Sequence, residues 1–230
     1  MRKVIYTCIT GGYDALRQPH TVKPDWDYIC FTDNEAVCAD GIWQFRRTEG
    51  PDAKTASRYP KILPHKVLSD YDVSLYIDSN LVLAGDAIYD AADAAIASDA
   101  AWAGVRHPQR DCIYEEIRKC YLAGHCRWRD AFLLERRLKK SGFPRHAGLL
   151  ENNIILRRHN LPEVMEVDEN WWKAFLAGPR RDQLHLMPLL RHACIKPAIL
   201  PELQRIPHAR PFSSPYPRPR IIKNILKRFL

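Results

Sequence analysis

Ser74-Leu-Tyr-Ile-Asp-Ser-Asn-Leu-Val-Leu83 is the stretch around which the chain is organised. An apolar and aromatic run leads into Asp78 and Asn80, and further apolar residues follow. In an extended backbone, residues two apart point to the same side, so these two side-chain oxygens could reach one cation together. The alternative is a polar strand end at which Asp and Asn bond their own backbone in a turn. The stretch therefore predicts a buried strand that ends in a metal site or a turn.

Length and composition indicate one large globular domain with short appendages. The chain has 230 residues, of which 46% are hydrophobic and 27% charged, enough for one substantial core. No apolar run reaches the roughly 18 residues of a transmembrane helix, and the apolar part of residues 1–10 is too short for a signal peptide. The seven cysteines include no Cys-x-x-Cys pair. We therefore expect reduced, mostly buried thiols in a cytoplasmic protein.

The net charge of +8 predicts an anionic partner, and the distribution of charge narrows its kind. Residues 207–219 contain five prolines, which indicates an extended linker. Residues 219–230 place apolar side chains on one helical face and basic ones on the other. This pattern favours contact with the anionic surface on the inner side of a membrane. The alternative is packing against the same domain or a partner subunit. Nothing resembles a nucleic-acid module, and the sequence does not indicate an oligomeric state.

Strands alternate with helices along the chain. Strands are predicted at residues 3–10, 27–34, 42–45, 74–83, 100–105, 149–157 and 195–199, and helices at 53–68, 86–97, 113–140 (two helices), 161–176 and 182–192. Pro60 and Pro64 predict a kink or break in the first helix. The alternation favours an α/β domain over residues 1–206, with a mostly parallel sheet flanked by helices, followed by a linker and basic helix over 207–230. Ligands of such sheets bind at the carboxyl ends of strands, where Thr10, Asp33 and Asp78 fall.

A set of short motifs, taken in order, resembles one known family. The motifs are Ile9-Thr-Gly-Gly-Tyr-Asp14, Tyr28-Ile-Cys-Phe-Thr-Asp-Asn34, Arg58-x-x-Lys-Ile-Leu-Pro-His-Lys66, Asp78-Ser-Asn80, His107-x-x-Arg110, Gly148-x-x-Glu-Asn-Asn153 and Arg181-Asp-Gln183. They look like the glycosyltransferase-like family that includes plant mucilage-related and turgor-related proteins, and are more distantly similar to glycosyltransferase family 8. The resemblance implies a GT-A fold. It also implies transfer of a sugar from a nucleotide-linked donor, expected to be UDP-linked, to a glycan or lipid-linked acceptor in polysaccharide biosynthesis.

The same resemblance implies a divalent metal, Mn²⁺ or Mg²⁺, on the diphosphate of the donor. The Asp-x-Asp motif of the family corresponds to Asp78 and Asn80, so an amide oxygen replaces the second carboxylate and the site loses one negative charge. By the family 8 pattern, the third ligand is a histidine late in the chain. His208 is preferred to His192 because it falls in an irregular loop beyond the last predicted strand.

The remaining motifs are assigned to the donor by this resemblance. Asp182 and Gln183 correspond to a catalytic pair that faces the sugar. Asp182 would hold sugar hydroxyls or stabilise an oxocarbenium-like centre, and the resemblance implies retention of configuration. The alternative is that Asp182 only caps the start of a helix. Arg58 and Lys61 could add positive charge to the leaving group, or form a solvated basic face. The other predicted donor-binding residues are Thr10, Gly11, Gly12, Tyr13, Asp33, Asp78, Glu151, Asn152 and Asn153.

Three residues of the family pattern, His107, Arg110 and Glu115, receive no chemical role, and Glu115 and Glu116 are expected on an exposed helix surface. Two other functions stay open at this point. One is a non-catalytic nucleotide-sugar-binding protein, motivated by Asn80. The other is a lipid amide hydrolase, an activity attributed to a plant relative in the family, although the sequence has no Gly-x-Ser-x-Gly or His-Glu-x-x-His motif to carry it.

Overall fold

A seven-stranded sheet forms the centre of the structure, a computed structural model that describes residues 1–209. Its strand order is β3-β2-β1-β4-β7-β6-β8, and β5 and β9 form a separate two-stranded sheet. The strands are β1 (Lys3–Ile9), β2 (Trp26–Thr32), β3 (Gln44–Arg47), β4 (Val73–Ile77), β5 (Leu81–Val82), β6 (Trp102–Arg106), β7 (Leu150–Arg157), β8 (Ala198–Ile199) and β9 (Gln204–Arg205).

Within the large sheet only β7 runs antiparallel to its neighbours, β4 and β6, and every other pair is parallel. The predicted α/β class with a mostly parallel sheet is therefore confirmed. The exception matters for the site, because the first residues of an antiparallel strand lie beside the last residues of the strand it pairs with. Ile154 of β7 pairs with Ile77 of β4, and the Asp78 N–H donates to the Asn153 carbonyl at 2.8 Å.

Helices cover both faces of the sheet, as a mostly parallel sheet requires. They are α1 (Ala53–Ile62), α2 (Pro64–Val67), α3 (Ala87–Ala97), α4 (Ile113–Leu122), α5 (Trp128–Lys140), α6 (Pro162–Ala177) and α7 (Leu186–His192), with short 3-10 helices at Glu35–Cys38 and Asp182–Leu184. Alternate residues of β1 enter opposite cores: Ile5 packs in the cluster that contains α3, whereas Tyr6 packs with Trp171 and Phe175 of α6. A third cluster joins α4 and α5.

The prolines divide the first predicted helix as expected, because α1 ends at Ile62 and α2 begins at Pro64. Pro60 has no N–H to donate to the Ala56 carbonyl, and this carbonyl accepts the Thr48 hydroxyl at 3.0 Å instead. The third strand lies two residues later than predicted, at Gln44–Arg47. The predicted helix at 182–192 divides into a 3-10 turn and α7, and the last predicted strand shortens to Ala198–Ile199.

The expected reduced state of the cysteines agrees with the structure, in which all seven are free and five are buried. Within residues 1–209, no helix is both long and apolar enough to cross a bilayer. The predicted linker begins at residue 207, and its first residues contact the domain, since the Pro207 carbonyl accepts from Arg17 at 3.0 Å. The predicted basic helix over residues 219–230 lies outside the described residues.

Candidate functional site

A cavity of about 500 Å³ opens at the edge of the sheet where β1 and β4 end and β7 begins. Residues from both ends of the chain line it together. The predicted site residues among them are Thr10, Tyr13, Arg58, Lys61, Asp78, Asn80, Glu151, Asn152, Asn153, Asp182, Gln183 and His208. The structure thus brings together most of the residues singled out in the sequence. His192 lies at the end of α7, away from this cavity.

The other three predicted residues, Gly11, Gly12 and Asp33, support the turn after β1 and do not line the cavity. Both glycines have positive φ angles, +62° and +59°, which cost a glycine little. A Cβ on Gly11 would lie 2.9 Å from the Ala53 Cβ, so the turn packs directly on the start of α1. The Asp33 carboxylate accepts the Gly11 N–H at 2.8 Å.

Residues 78–80 form a tight turn between β4 and β5, because the Leu81 N–H donates to the Asp78 carbonyl at 3.0 Å. The extended backbone assumed for Asp78 and Asn80 is therefore wrong, and the turn alternative is correct for the main chain. Both side chains nevertheless line the cavity. Asp78 Oδ1 accepts from the Tyr76 hydroxyl at 2.7 Å and lies 3.4 Å from Lys61 Nζ.

The segment that contains β9 is attached to this turn by the small two-stranded sheet. β9 pairs with β5, and the Ile206 N–H donates to the Asn80 carbonyl at 2.9 Å. The Asn80 side-chain Nδ2 donates in turn to the Ile206 carbonyl at 3.2 Å. Because that bond occupies the amide nitrogen, the amide oxygen is the atom of Asn80 that can ligate a cation.

His208 follows this segment and makes a hydrogen bond with a buried carboxylate. Its Nδ1 lies 2.7 Å from Asp14 Oδ2, which also accepts the Ser79 hydroxyl at 2.7 Å. Burial acts to raise the pKa of Asp14, but hydrogen bonds from the Ala209 backbone, Ser79 and His208 hold it well below its usual range. An ionised carboxylate only accepts, so His208 Nδ1 donates, and Nε2 is the ring nitrogen left for a cation. Histidines that ligate metals are usually oriented in this way.

The three predicted metal ligands offer oxygen and nitrogen donor atoms. Asp78 supplies a carboxylate, Asn80 an amide oxygen and His208 an imidazole nitrogen, a mixture compatible with Mn²⁺. Asp14 is a residue that sequence reasoning missed, although it stands inside the quoted Thr10-Gly-Gly-Tyr-Asp14 turn. Its signal was an acidic residue directly after a glycine turn at a strand end.

Asp182 is buried and lies among three cations. Lys61 Nζ is 2.9 Å from Asp182 Oδ2, and Arg58 Nε is 3.5 Å from Asp182 Oδ1. Burial acts to raise the pKa of Asp182, but Lys61, Arg58 and Arg181 hold it far below its usual range, so this carboxylate is ionised. Lys61 bridges Asp182 and Asp78, which means that both predicted leaving-group cations already pair with carboxylates.

Two further cations in the cavity, Lys54 and Arg181, have no carboxylate within ion-pair distance among the described residues. Burial lowers the pKa of Lys54 to about 8, and the nearby charges of Arg58, Arg181 and Arg180 act in the same direction. A partly buried ammonium group with further cations beside it is suited to bind an anion. Sequence reasoning gave neither residue a role; Arg181 was visible only as the first residue of the Arg-Asp-Gln motif.

Three carboxamides that line the cavity have buried atoms without a hydrogen-bond partner among the described residues. These atoms are Asn152 Nδ2, Asn153 Oδ1 and Gln183 Nε2. Their side chains line the cavity, and each residue is less than a tenth exposed. A buried polar atom without a partner costs about 1–3 kcal/mol. A ligand with several hydroxyl groups would satisfy these donors and acceptors together.

The remaining family residues stabilise a loop beside the site. Arg110 Nε donates to Glu116 Oε2 at 2.6 Å, and His107 Nδ1 accepts the backbone N–H groups of Gln109 and Arg110. Glu116 is only 3% exposed, so its predicted surface position is wrong, whereas Glu115 is exposed as expected. The hydrophobic periodicity of a helix does not reveal that one of its residues forms a buried ion pair with a residue outside the helix.

Comparison of the chain with known protein families finds no match, and comparison with curated proteins finds none either.

Proposed function

We propose that the chain is a metal-dependent glycosyltransferase of GT-A type that uses a nucleotide-sugar donor. The observation that supports it is the content of one cavity at the carboxyl ends of parallel strands. That cavity combines a cation-ligand set, a group of cations that suits a diphosphate, and unpartnered carboxamides that suit sugar hydroxyls. Each part alone has many uses, but a nucleotide sugar with its metal needs all three side by side.

Asp78, Asn80 and His208 would hold the Mn²⁺ or Mg²⁺, with Asp14 orienting His208. When bound, the cation would neutralise charge that develops on the departing nucleoside diphosphate. Lys54 and Arg181 would bind the diphosphate directly, because no carboxylate of the described residues forms an ion pair with them. We place the nucleoside, expected to be uridine, toward Tyr13, a half-exposed ring at the cavity wall.

Asn152, Asn153 and Gln183 would bind the donor sugar, since their unpartnered atoms offer both donors and acceptors. Asp182 is ionised and held in place by Lys61 and Arg58, so it can accept from sugar hydroxyls or stabilise positive charge that develops at the anomeric carbon. Retention of configuration follows from the resemblance to family 8. The acceptor is a glycan or a lipid-linked saccharide.

The test is release of nucleoside diphosphate from a panel of nucleotide sugars in the presence of Mn²⁺. We expect one donor to be turned over, and Asp78→Ala to reduce the release at least ~100-fold, because the carboxylate that would hold the cation is lost. Asp90→Ala is the matched control: it removes an exposed carboxylate from α3 and should leave turnover unchanged.

Two outcomes would contradict the proposal. Thermal stabilisation by a nucleotide sugar without any diphosphate release would identify a non-catalytic binding protein. Cleavage of a lipid amide that is indifferent to the whole panel and to Asp78→Ala would identify a hydrolase.

A further inference from the structure

The outer face of α5 exposes three large apolar side chains. Trp128 is 65% exposed, Phe132 55% and Leu133 47%, and the rings of Trp128 and Phe132 lie 6.5 Å apart. Residues four apart on a helix are neighbours, so Trp128 and Phe132 adjoin, and Leu133, the next residue in the chain, extends the exposed apolar surface. Large exposed apolar patches on a folded domain generally mark a binding surface.

This patch is not needed to hold α5 on the domain. The opposite face of the helix buries Ala131, Leu134 and Leu138 in a core shared with α4. The helix therefore has two apolar faces, of which only the inner one is buried in the described part of the chain. The outer one carries an apolar surface that the fold itself does not use.

Basic residues surround the patch. The same exposed face of α5 carries three basic residues, Arg129, Arg136 and Lys140. They follow one another at intervals of about two helical turns or less. Acidic residues of α5 do not offset them: Asp130 is half-buried, and Glu135 is paired with Lys139 at 2.6 Å. The outer face thus combines aromatic side chains with unopposed positive charge.

We propose that this outer face of α5 docks the protein on an anionic lipid bilayer. The face lies along a single helix of 13 residues, so its side chains can enter a bilayer interface together. Trp and Phe favour that interface, and the long stems of Arg and Lys let their charges reach the lipid phosphates. Charge complementarity selects anionic lipid over a neutral surface. This surface is distinct from residues 219–230 and does not depend on the proposed catalytic activity.

Docking through α5 would bring the cavity to the membrane surface. His125 lines the cavity, and Trp128 begins α5 three residues later, a distance that the chain spans in at most about 11 Å. A substrate with a lipid anchor could then reach the cavity without leaving the bilayer.

Tryptophan fluorescence gives a direct test, because Trp128 is the exposed member of six tryptophans. Of the others, Trp172 is half-buried and stacks on Phe175, and four are at most 4% exposed: Trp26, Trp43, Trp102 and Trp171.

In the experiment, the full chain is mixed with vesicles of equal parts dibromo-phosphatidylcholine and phosphatidylglycerol. We expect quenching in these vesicles and none in dibromo-phosphatidylcholine alone. Trp128→Tyr should sediment with the mixed vesicles like the unmodified protein, but without quenching.

The opposite results would overturn the proposal. Sedimentation of the unmodified protein without quenching would assign binding to another segment, since residues 210–230 contain no tryptophan. Quenching that survives Trp128→Tyr would do the same. A concentration-dependent dimer that Phe132→Ser dissociates, without vesicle binding, would assign the face to a second copy of the chain.

A charge-matched pair of variants separates local docking from general attraction. Replacing Arg129, Arg136 and Lys140 with Gln should weaken vesicle binding ~10-fold or more, because each basic residue near the surface contributes to the attraction. The control removes the same charge from exposed positions elsewhere and should bind within about twofold of the unmodified protein. Its substitutions are Lys173→Gln, Arg191→Gln and Lys196→Gln. Equal losses in both variants would contradict docking through α5.

Discussion

His208 and Asp14 are 194 positions apart and yet make a hydrogen bond of 2.7 Å. At the scale of single residues, this bond determines which ring nitrogen of His208 is free. We expect Asp14→Asn to weaken Mn²⁺ binding about 10–100-fold, because the amide no longer holds the imidazole with a negative charge. Titration of free Mn²⁺ by electron paramagnetic resonance measures the affinity directly.

The matched control for Asp14→Asn is Asp33→Asn, which alters an exposed carboxylate whose hydrogen bond, among the described residues, is to the Gly11 N–H in the same turn region. It should leave the Mn²⁺ affinity unchanged. Equal affinities in all three proteins would show that His208 does not depend on Asp14, and would remove the main support for His208 as a ligand.

Lys54 predicts a pH dependence of nucleotide binding. The pKa of its ammonium group is about 8, lowered by burial and by the charges of Arg58 and Arg181. Lys54 is charged below this pH and neutral above it, so the affinity for uridine diphosphate should fall as pH rises through 8. Lys54→Arg keeps its charge in this range and should remove the fall. Calorimetric titrations on either side of pH 8 decide the matter; an unaltered profile in Lys54→Arg would exclude Lys54 from diphosphate binding.

These two residues also show what the sequence could not reveal about the site. Polar residues at strand ends are visible in a sequence, and Asp78 and Asn80 were found in that way. The contact of Asp14 with His208 depends on how the last described segment returns across the domain, and local patterns do not contain that information. Lys54 is an ordinary helix residue in the sequence, and its lowered pKa comes from burial and from the neighbouring Arg58 and Arg181.

At the scale of elements, the turn after β1 depends on a close approach to α1. Gly11→Ala should destabilise the fold by about 2–4 kcal/mol, because it adds a side chain both at positive φ and 2.9 Å from the Ala53 Cβ. Gly142 has a similar φ of +68° with nothing within 4 Å, so Gly142→Ala should cost only about 1–2 kcal/mol. Urea denaturation of both variants isolates the packing contribution; equal losses would show that the approach of α1 to the turn is not tight.

Element positions were predictable where hydrophobic runs are long, as in β1, β4 and α3. The direction of β7 was not, because a buried strand reads the same in parallel and antiparallel sheets. That direction brings Glu151, Asn152 and Asn153 to the cavity from the start of a strand, whereas Thr10 and Asp78 reach it from strand ends. The turn at residues 78–80 was predicted only as one of two alternatives, because the apolar residues on both sides of it also fit a continuous strand.

At the scale of the whole molecule, the site depends on connections between distant parts of the core. The buried Arg157 of β7 illustrates this: it donates to Asp168 of α6 at 2.7 Å and to the Tyr6 hydroxyl at 2.8 Å, and it also bonds the Lys61 carbonyl at the end of α1. Charge burial of this kind is tolerated only when every partner is present. Arg157 therefore links the core to the helix that positions Lys61 in the cavity.

His159 makes a comparable connection, and it predicts how the whole fold responds to acid. Its Nε2 donates to the Leu68 carbonyl at 2.8 Å, its Nδ1 is buried without a partner among the described residues, and burial lowers its pKa to about 4. An unfolded histidine titrates near 6.5, so the unfolded state binds more protons between about pH 6.5 and 4 and stability falls as pH drops. His159 alone should remove about 2 kcal/mol by about pH 5. Asp14 and Asp182, with lowered pKa values, lose their contributions to stability only below about pH 3.8 and do not act in this window.

His159→Gln can still donate to the Leu68 carbonyl but cannot be protonated. Urea denaturation near neutrality and at about pH 5 should therefore show a smaller loss of stability in this variant than in the unmodified protein. An equal loss in both proteins would contradict the role of His159.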